Sequence, residues 1–340
     1  MTSNDPPAPE AVFFSLTVEC PMRCKVCSMW QLDDPPGALT QEQRLEVIDQ
    51  LPGFERRVHV VVTGGEPFLK FAEILAIARR VRRQGNTMGL VTSGFFLSDG
   101  VLNRIVGSGL THVAVSIDFP SAAQHDAQRG RAGTFARATA AIRRLVELRR
   151  VGADVPTVGI NAIVMAQNLN YLEDLALLAA DLGVKEILFQ PIQPDFGTDD
   201  RTAFTAFRNW LPLDPSRVDA VLDGVEALRS RVPLGQGPDE FEAIRRYFRN
   251  PLHLPPGTCQ SALRNLVVDV YGNVSHCFGQ PRTGLPSIGT VPQGDLVTLW
   301  RSAVAQHGRR RLATCTLGCG ALLCHSRSSI PTVEVAVRVR

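Results

Sequence analysis

Three cysteines near the amino terminus have the spacing of a metal-cluster ligand set. Cys20, Cys24 and Cys27 form a C-x3-C-x2-C triplet directly after an apolar run, and the next cysteine is Cys259. Three thiolates can hold a [4Fe-4S] cluster through three of its irons, which leaves the fourth iron open to bind a reactant. A structural zinc site closes with four ligands, so a zinc knuckle without its fourth ligand is the alternative. The triplet predicts a catalytic iron-sulfur cluster.

A second motif stands where a β-branched run ends. The run Val-Val-Val-Thr is typical of a buried strand, and it is followed by Gly64, Gly65, Glu66 and Pro67. Paired glycines at a strand end let a ligand approach the backbone closely. A carboxylate beside them can receive an ammonium group. We therefore expect a ligand with an amino group next to the cluster.

Together the two motifs resemble the radical S-adenosylmethionine (radical SAM) superfamily, over about residues 13–195. Thr92-Ser93-Gly94, Ser116-Ile117-Asp118 and the segment from His125 to Gly130 are similar to further motifs of that family. The resemblance implies that the open iron binds the amino and carboxylate groups of SAM, with the glycine strand on the amino group and Arg129 on the carboxylate. Polar residues at other strand ends are added as candidate contacts. The expected cofactor-binding residues are Gly64, Gly65, Glu66, Pro67, Ser93, Ser116, Asp118, Arg129, Asn161 and Gln190.

Two positions depart from the usual family pattern. Many members carry an aromatic residue directly before the third cysteine, where this chain has Val26. Phe119 replaces the glycine that often follows the aspartate of the Ser-Ile-Asp segment. The first change affects packing near the adenine and the second affects the shape of the substrate pocket. Neither removes a cluster ligand.

Apolar runs and helical patterns alternate along the first half of the chain. Short β-branched runs cover residues 13–18, 58–63, 89–92, 112–117, 158–164 and 186–190. Helical patterns follow the first five of them, one of which begins at a capping box of Thr40 and Gln43. Repeated βα units predict an α/β fold with a parallel sheet, and the resemblance implies a partial (β/α)6 barrel. Active sites of such barrels lie at the carboxyl ends of the strands, where all the motifs fall.

A proline-rich segment at 196–256 separates this core, at 13–195, from a second module at 257–330. A strand, a Gly-Asn turn and a return strand stand between Cys259 and Cys277, so a hairpin is expected to bring the two thiols together. The module resembles the small cysteine-rich α+β extensions called SPASM and twitch domains. Five cysteines suffice for one auxiliary [4Fe-4S] cluster, and zinc is the alternative. The resemblance implies Cys259, Cys277, Cys315 and Cys319 as its ligands.

This assignment leaves Cys324 over. A remaining cysteine is often a small buried hydrophobic residue. The alternative is that Cys324 is catalytic and donates a hydrogen atom to a substrate radical, which would make the enzyme an epimerase. Without such a donor, loss of an electron to the auxiliary cluster would make it a dehydrogenase.

Composition and charge limit the other classes. The 340 residues are 44% hydrophobic and carry a net charge of +3, which is too small to indicate nucleic-acid binding. The sequence has no membrane-length apolar run and no basic signal region, so we expect a cytoplasmic protein without a membrane partner. Eight cysteines in triplet and cluster spacings favour metal ligation over disulfides.

The resemblance implies a 5′-deoxyadenosyl radical that abstracts hydrogen from a substrate, with flavodoxin or ferredoxin as an external one-electron reductant. We expect a small hydroxylated substrate, a carbohydrate or aminocyclitol, that is dehydrogenated or epimerised. The alternative is modification of a ribosomal peptide or protein side chain. We expect the first because only about a dozen residues precede the first strand, too few for a fused leader-peptide domain. A non-enzymatic metal protein is disfavoured by the Gly-Gly-Glu-Pro motif.

Overall fold

A single sheet organises the part of the chain that the computed structural model describes, residues 6–193, 207–251, 253 and 259–317. Its strands stand in the order β6-β5-β4-β3-β2-β1-β7-β8-β9. Their bounds are β1 (Ala11–Thr17), β2 (His59–Gly64), β3 (Thr87–Thr92), β4 (His112–Ser116), β5 (Thr157–Val164), β6 (Glu186–Pro191), β7 (Asn265–Val268), β8 (Asn273–Ser275) and β9 (Gly289–Thr290).

The first six strands are parallel neighbours in chain order, with helices in the connections. The expected α/β fold with a partial (β/α)6 barrel is confirmed, and the six strand predictions agree with the observed strands to within two residues. The helices of this part are α1 (Gln41–Asp49), α2 (Phe71–Arg83), α3 (Asp99–Ile105), α4 (Ala122–Arg129), α5 (Thr134–Arg150) and α6 (Leu172–Leu182). Short 3-10 helices occupy Met29–Gln31, Leu51–Phe54, Pro67–Lys70 and Leu169–Tyr171.

Local sequence accounts for the helix boundaries. The Thr40 hydroxyl accepts from the amide of Gln43, whose side chain accepts from the amide of Thr40, so α1 begins at the predicted capping box. On α2 the apolar positions face the sheet, and Ile74, Ile77 and Val81 are fully buried. This 3.6-residue periodicity fixes which face of α2 packs on the strands.

The outer edge of β6 is covered by the chain that returns from the proline-rich segment. This segment contains α7 (Pro215–Ala227) and α8 (Pro238–Arg249), each with proline at its first position. Between them Leu234 forms a parallel bridge with Ile187. The side-chain amide of Gln236 then accepts from the amide of Phe189 at 2.7 Å and donates to its carbonyl at 2.9 Å. These two hydrogen bonds occupy the backbone groups of Phe189 at the edge of β6, so no further strand can pair there.

The second module continues the sheet of the barrel. β7 pairs in parallel with β1, and β7 and β8 form the predicted antiparallel hairpin. Its helices are α9 (Ser261–Arg264), α10 (Leu296–Arg301) and α11 (Ala303–Leu312), with a 3-10 helix at Gln280–Thr283. Residues 296–304 do not form one continuous helix, because Ser302 ends α10 and its hydroxyl caps α11 by accepting from the amide of Ala305.

Among the described residues, no helix has both the length and the apolar character needed to cross a bilayer.

Candidate active site

The motifs meet at one edge of the sheet. Because β1 to β6 are parallel, their carboxyl ends lie together, and each predicted motif follows one of these ends or precedes it by a few residues. The triplet follows β1, the Gly-Gly-Glu-Pro motif ends β2, and Ser93 follows β3. This edge is where parallel barrels place their chemistry.

Close contacts with neighbouring backbone require glycine at positions 64 and 65. A β-carbon on Gly64, whose φ is +130°, would lie 2.1 Å from the carbonyl oxygen of Thr17. A β-carbon on Gly65 would lie equally close to the carbonyl oxygen of Glu19. The amide of Gly65 donates to the Thr17 carbonyl at 2.7 Å, and that of Glu66 to the Glu19 carbonyl at 2.9 Å. Because glycine has no β-carbon, the end of β2 can pack against the backbone that leads into Cys20. The sequence pattern did not predict this role.

Asp34 fixes the same stretch of chain from the other side. Its carboxylate accepts from the Thr17 hydroxyl at 2.7 Å and the Val18 amide at 2.8 Å, and it pairs with Lys70 at 3.0 Å. Burial alone would raise the pKa of Asp34, but these hydrogen bonds and Lys70 outweigh it and lower the pKa. No sequence motif marks Asp34, because its partners are brought to it only by the fold.

The far side of the cysteine loop rests on the end of α4. The amide of Arg23 donates to the carbonyl of Arg129, and that of Lys25 to the carbonyl of Gln128, both at 3.0 Å. Gly130, with φ of +65°, follows α4, and a β-carbon there would lie 2.4 Å from the Arg23 carbonyl oxygen. The Arg-Gly pair of the sequence motif thus supports the loop that carries Cys24.

The Arg129 side chain lies between an acid and a cysteine. Nη2 is 2.6 Å from Oδ2 of Asp118, and Nη1 is 3.9 Å from the sulfur of Cys24. Burial would lower the pKa of Arg129, but the charges of Asp118 and Cys24 raise it. Burial raises the pKa of Cys24, and Arg129 partly offsets this. Burial also raises the pKa of Cys20, to about 11. Arg129 is a buried cation, not a surface residue, and it favours negative charge at Cys24.

Asp118 is the centre of a buried network. Its Oδ1 accepts from the amide of Ile163, and its own amide donates to Nδ1 of His125. The Asn168 side-chain amide donates to the carbonyls of Asp118 and Ile163. Burial lowers the pKa of His125 to about 2, with Arg129 acting in the same direction, so the ring is neutral. Because Nδ1 accepts the Asp118 amide, the proton is on Nε2. The network ties β4 to β5 and α4, and Asn168 is a member that the sequence reasoning missed.

The carboxylate of Glu66 is already fully hydrogen-bonded. Glu66 is 1% exposed, and one oxygen accepts from the amide of Phe68 and the hydroxyl of Thr92. The other oxygen accepts from the amide and the hydroxyl of Ser93. Through these four hydrogen bonds the Glu66 side chain links the end of β2 to the end of β3. The amino group of a ligand at this edge would therefore meet backbone carbonyls of the motif before it met this carboxylate. Pro67 follows directly and begins the short helix.

Polar groups on β4 and β5 face each other at the same edge. Ser116 and Asn161 are paired in register, and Gln190 is paired with Ile163. The amide oxygens of Asn161 and Gln193 are buried without a hydrogen-bond partner among the described residues. A buried polar atom that lacks a partner is costly unless a ligand or water satisfies it. Asn161 and Gln193 are therefore the strongest ligand-facing candidates among the strand-end residues.

The structure brings three of the carboxyl-terminal cysteines into one region. Leu317, two residues after Cys315, lies against Gly279, two residues after Cys277. The Ser261 hydroxyl donates to the carbonyl of His276 at 2.9 Å and links the chain after Cys259 to the chain before Cys277. Burial raises the pKa of Cys259, with Cys315 contributing in the same direction. Cys319 and Cys324 lie outside the described residues.

The amino-terminal cysteine triplet fits an iron-sulfur cluster. Among the described residues, no three or more His, Cys, Asp or Glu side chains converge as ligands of one metal ion would. A cubane cluster bonds each thiolate to a different iron, so its ligands need not converge in this way. The half-buried triplet, with the Arg129 cation beside Cys24, suits a cluster held by three thiolates.

Residues 14–179 match the family model of the Radical SAM superfamily. The chain is 28% identical over 218 residues to a tungsten-containing aldehyde ferredoxin oxidoreductase cofactor-modifying protein of Pyrococcus furiosus, covering 63% of this chain and 55% of that protein. The chain spans about half the length of the curated relatives that it matches first.

Two similarities extend over more of the chain. A PqqA peptide cyclase of Rhodopseudomonas palustris is 27% identical over 301 residues, which cover 87% of this chain and 74% of that protein. The crystal structure of Streptococcus suis SuiB bound to precursor peptide SuiA superposes with a TM-score of 0.69 at 14% identity, covering 96% of this chain and 75% of SuiB. At that identity the superposition shows the shared fold.

Proposed function

Because residues 14–179 form a radical SAM domain, we propose that this chain is a radical SAM enzyme that modifies a side chain of a peptide or protein. As a radical SAM enzyme it uses a [4Fe-4S] cluster, SAM and a one-electron reductant. When bound, the cluster and SAM supply the radical that removes a hydrogen atom from the substrate. The chain's own residues bind and orient these groups.

The reach of the similarity supports a peptide substrate. The match to the peptide cyclase covers 301 residues, so it must extend well beyond residue 179, where the radical SAM match ends. The match to the Pyrococcus cofactor-modifying protein covers 218 residues. Similarity that includes the carboxyl-terminal part of the chain bears on substrate choice, because the barrel core is common to enzymes with different substrates. This extended match is the observation that carries the proposal.

Each binding residue has a distinct part in this proposal. Cys20, Cys24 and Cys27 hold the catalytic cluster, and backbone carbonyls at Gly64 and Gly65 receive the SAM ammonium. Ser116 and Arg129 lie toward the SAM carboxylate, and Ser93 or Asn161 toward its ribose. Glu66 and Asp118 act as positioning residues, because their carboxylates are occupied by Ser93 and Arg129 respectively.

A second cluster is proposed in the carboxyl-terminal module. Cys259, Cys277 and Cys315 lie in one region, and Cys319 is the fourth ligand in the proposal. Phe278, next to Cys277, packs edge-on against Phe13 of β1, with ring centroids 5.3 Å apart. In this proposal the auxiliary site is adjacent to the first strand of the barrel, because Cys277 precedes Phe278. Cys324 keeps its proposed alternative roles, as a hydrogen-atom donor or a buried hydrophobic residue.

The test is anaerobic reconstitution of the enzyme with iron, sulfide and SAM. Short peptides encoded beside the gene are compared with a panel of carbohydrates and aminocyclitols. We expect formation of 5′-deoxyadenosine to depend on a peptide, and the peptide product to show a mass change from a crosslink, epimerisation or oxidation. Stimulation by a hydroxylated small molecule, and by no peptide, would overturn the peptide assignment. That result would restore the first expectation from the sequence.

A further inference from the structure

The outer surface of the cysteine loop carries an excess of positive charge. Arg23 and Lys25 flank Cys24, and both side chains are exposed. The guanidinium groups of Arg131 and Arg137 both lie 4.1 Å from the centre of the Phe95 ring. Arg131 also donates to the carbonyl of Pro21 in the loop at 3.2 Å. We name these four residues, Arg23, Lys25, Arg131 and Arg137, the loop patch.

Neighbouring acids neutralise the loop patch only in part. None of its four cations forms an ion pair with a described residue. Asp34 is bound to Lys70, and Asp126 accepts from the amides of Gly133 and Phe135. Glu19, Asp33 and Asp126 are the carboxylates of the adjoining chain that have no cation partner among the described residues, so the four cations exceed them by one positive charge.

The surface beside the loop patch carries small side chains, so another protein can approach it closely. On α4 the exposed positions Ala123 and Ala127 carry only methyl groups, and the exposed Gly130 follows the helix. The end of this helix supports the loop at Arg23 and Lys25. A flat partner surface can thus come close to Cys24, and electron transfer between proteins slows steeply as the distance between redox centres grows.

We propose that the loop patch is the docking surface for an acidic one-electron carrier protein that reduces the catalytic cluster. This inference rests on the proposed function, which needs one electron for each SAM cleaved. The carrier gives up one electron and the cluster accepts it, so no other reactant is consumed. Opposite charge on the two surfaces speeds the encounter and orients the carrier toward Cys24.

The experiment measures reduction of the reconstituted holoenzyme by two donors. One donor is a recombinant flavodoxin in its hydroquinone form, and the other is dithionite, which needs no docking surface. The test variant carries Lys25→Glu and Arg137→Glu, two patch residues whose side chains form no hydrogen bond with the cysteine-loop backbone among the described residues. The control carries Arg79→Glu and Arg83→Glu on α2, which changes the net charge equally on exposed residues away from the loop.

We expect the rate with flavodoxin divided by the rate with dithionite to fall on the order of tenfold in the test variant. The control should keep the wild-type ratio. Added salt should slow flavodoxin in the wild type and have less effect on the test variant, since the steering charge is already gone. An unchanged ratio, or an equal fall in the control, would overturn the proposal. So would an unchanged ratio with weaker binding of an acidic peptide substrate, which would assign the patch to substrate. Absence of 5′-deoxyadenosine from the wild type even with dithionite would instead contradict the proposed function.

Discussion

The carboxylate of Asp118 and the guanidinium of Arg129 form a buried ion pair, with Oδ2 and Nη2 2.6 Å apart. The two side chains are 1% and 10% exposed. The pair links the end of β4 to the end of α4, and α4 in turn supports the cysteine loop. Because α4 supports the cysteine loop, the ion pair helps to position Cys24.

Replacing Asp118 with Asn should destabilise the protein strongly. The variant leaves the Arg129 charge buried without its counter-charge, and the expected loss is about 3–5 kcal/mol in the free energy of unfolding. The matched control is Asp181→Asn, which removes an exposed pair with Arg143 and should cost about 1 kcal/mol or less. Anaerobic urea unfolding of the reconstituted proteins measures both. Equal losses would mean that the buried pair contributes no more than a surface pair.

Gly64→Ala should disrupt the cysteine loop. The new β-carbon would collide with the Thr17 carbonyl in a backbone conformation that disfavours side chains, at a cost on the order of 3 kcal/mol. Gly85→Ala is the control, because Gly85 also has a positive φ, of +74°, but open space around it. It should cost only about 1–2 kcal/mol. Iron and sulfide content should fall in the first variant and not in the second. Full iron in Gly64→Ala would show that the loop tolerates a shifted strand end.

The two cysteine groups should hold separate clusters. Cys24→Ala should abolish 5′-deoxyadenosine formation and the change that SAM causes in the electron paramagnetic resonance signal, while the auxiliary cluster remains. Cys315→Ala should remove the auxiliary cluster and keep that SAM-dependent change, because the loop at Cys24 is untouched. SAM cleavage by the Cys24→Ala protein would refute the assignment of the triplet.

The buried His59 side chain should make the folded protein less stable as the pH falls. Burial lowers the pKa of His59 from its ordinary value of 6.5 to about 4. Between these values the unfolded chain binds a proton that the folded state does not, so stability decreases as pH falls. The full loss is about 3 kcal/mol.

His59→Gln is the comparison for this pH effect, because it keeps a polar partner for the Thr87 hydroxyl, which lies 2.8 Å from Nδ1. The difference in unfolding free energy between the two proteins should shrink or change sign between about pH 7 and about pH 5. A difference that stays constant with pH would show that His59 titrates normally.

The sequence by itself determined the type and order of the elements and the ends at which chemistry occurs. Strand and helix periodicity, the Thr40 capping box and the cysteine spacing are properties of residues a few positions apart. Such patterns can be read along the chain. They predicted that Cys24, Glu66, Ser93 and Ser116 would meet at one edge, since parallel strands end together.

Tertiary structure alone decided what each of these residues contacts. The glycines at 64 and 65 are required by the carbonyls of Thr17 and Glu19, and the Glu66 carboxylate is occupied by Thr92 and Ser93. Asp34 and Asn168 act on strand ends that no local pattern connects to them. Hydrogen bonds and steric contacts between residues far apart in the chain exist only once strands and helices have packed, so their partners cannot be read from spacing.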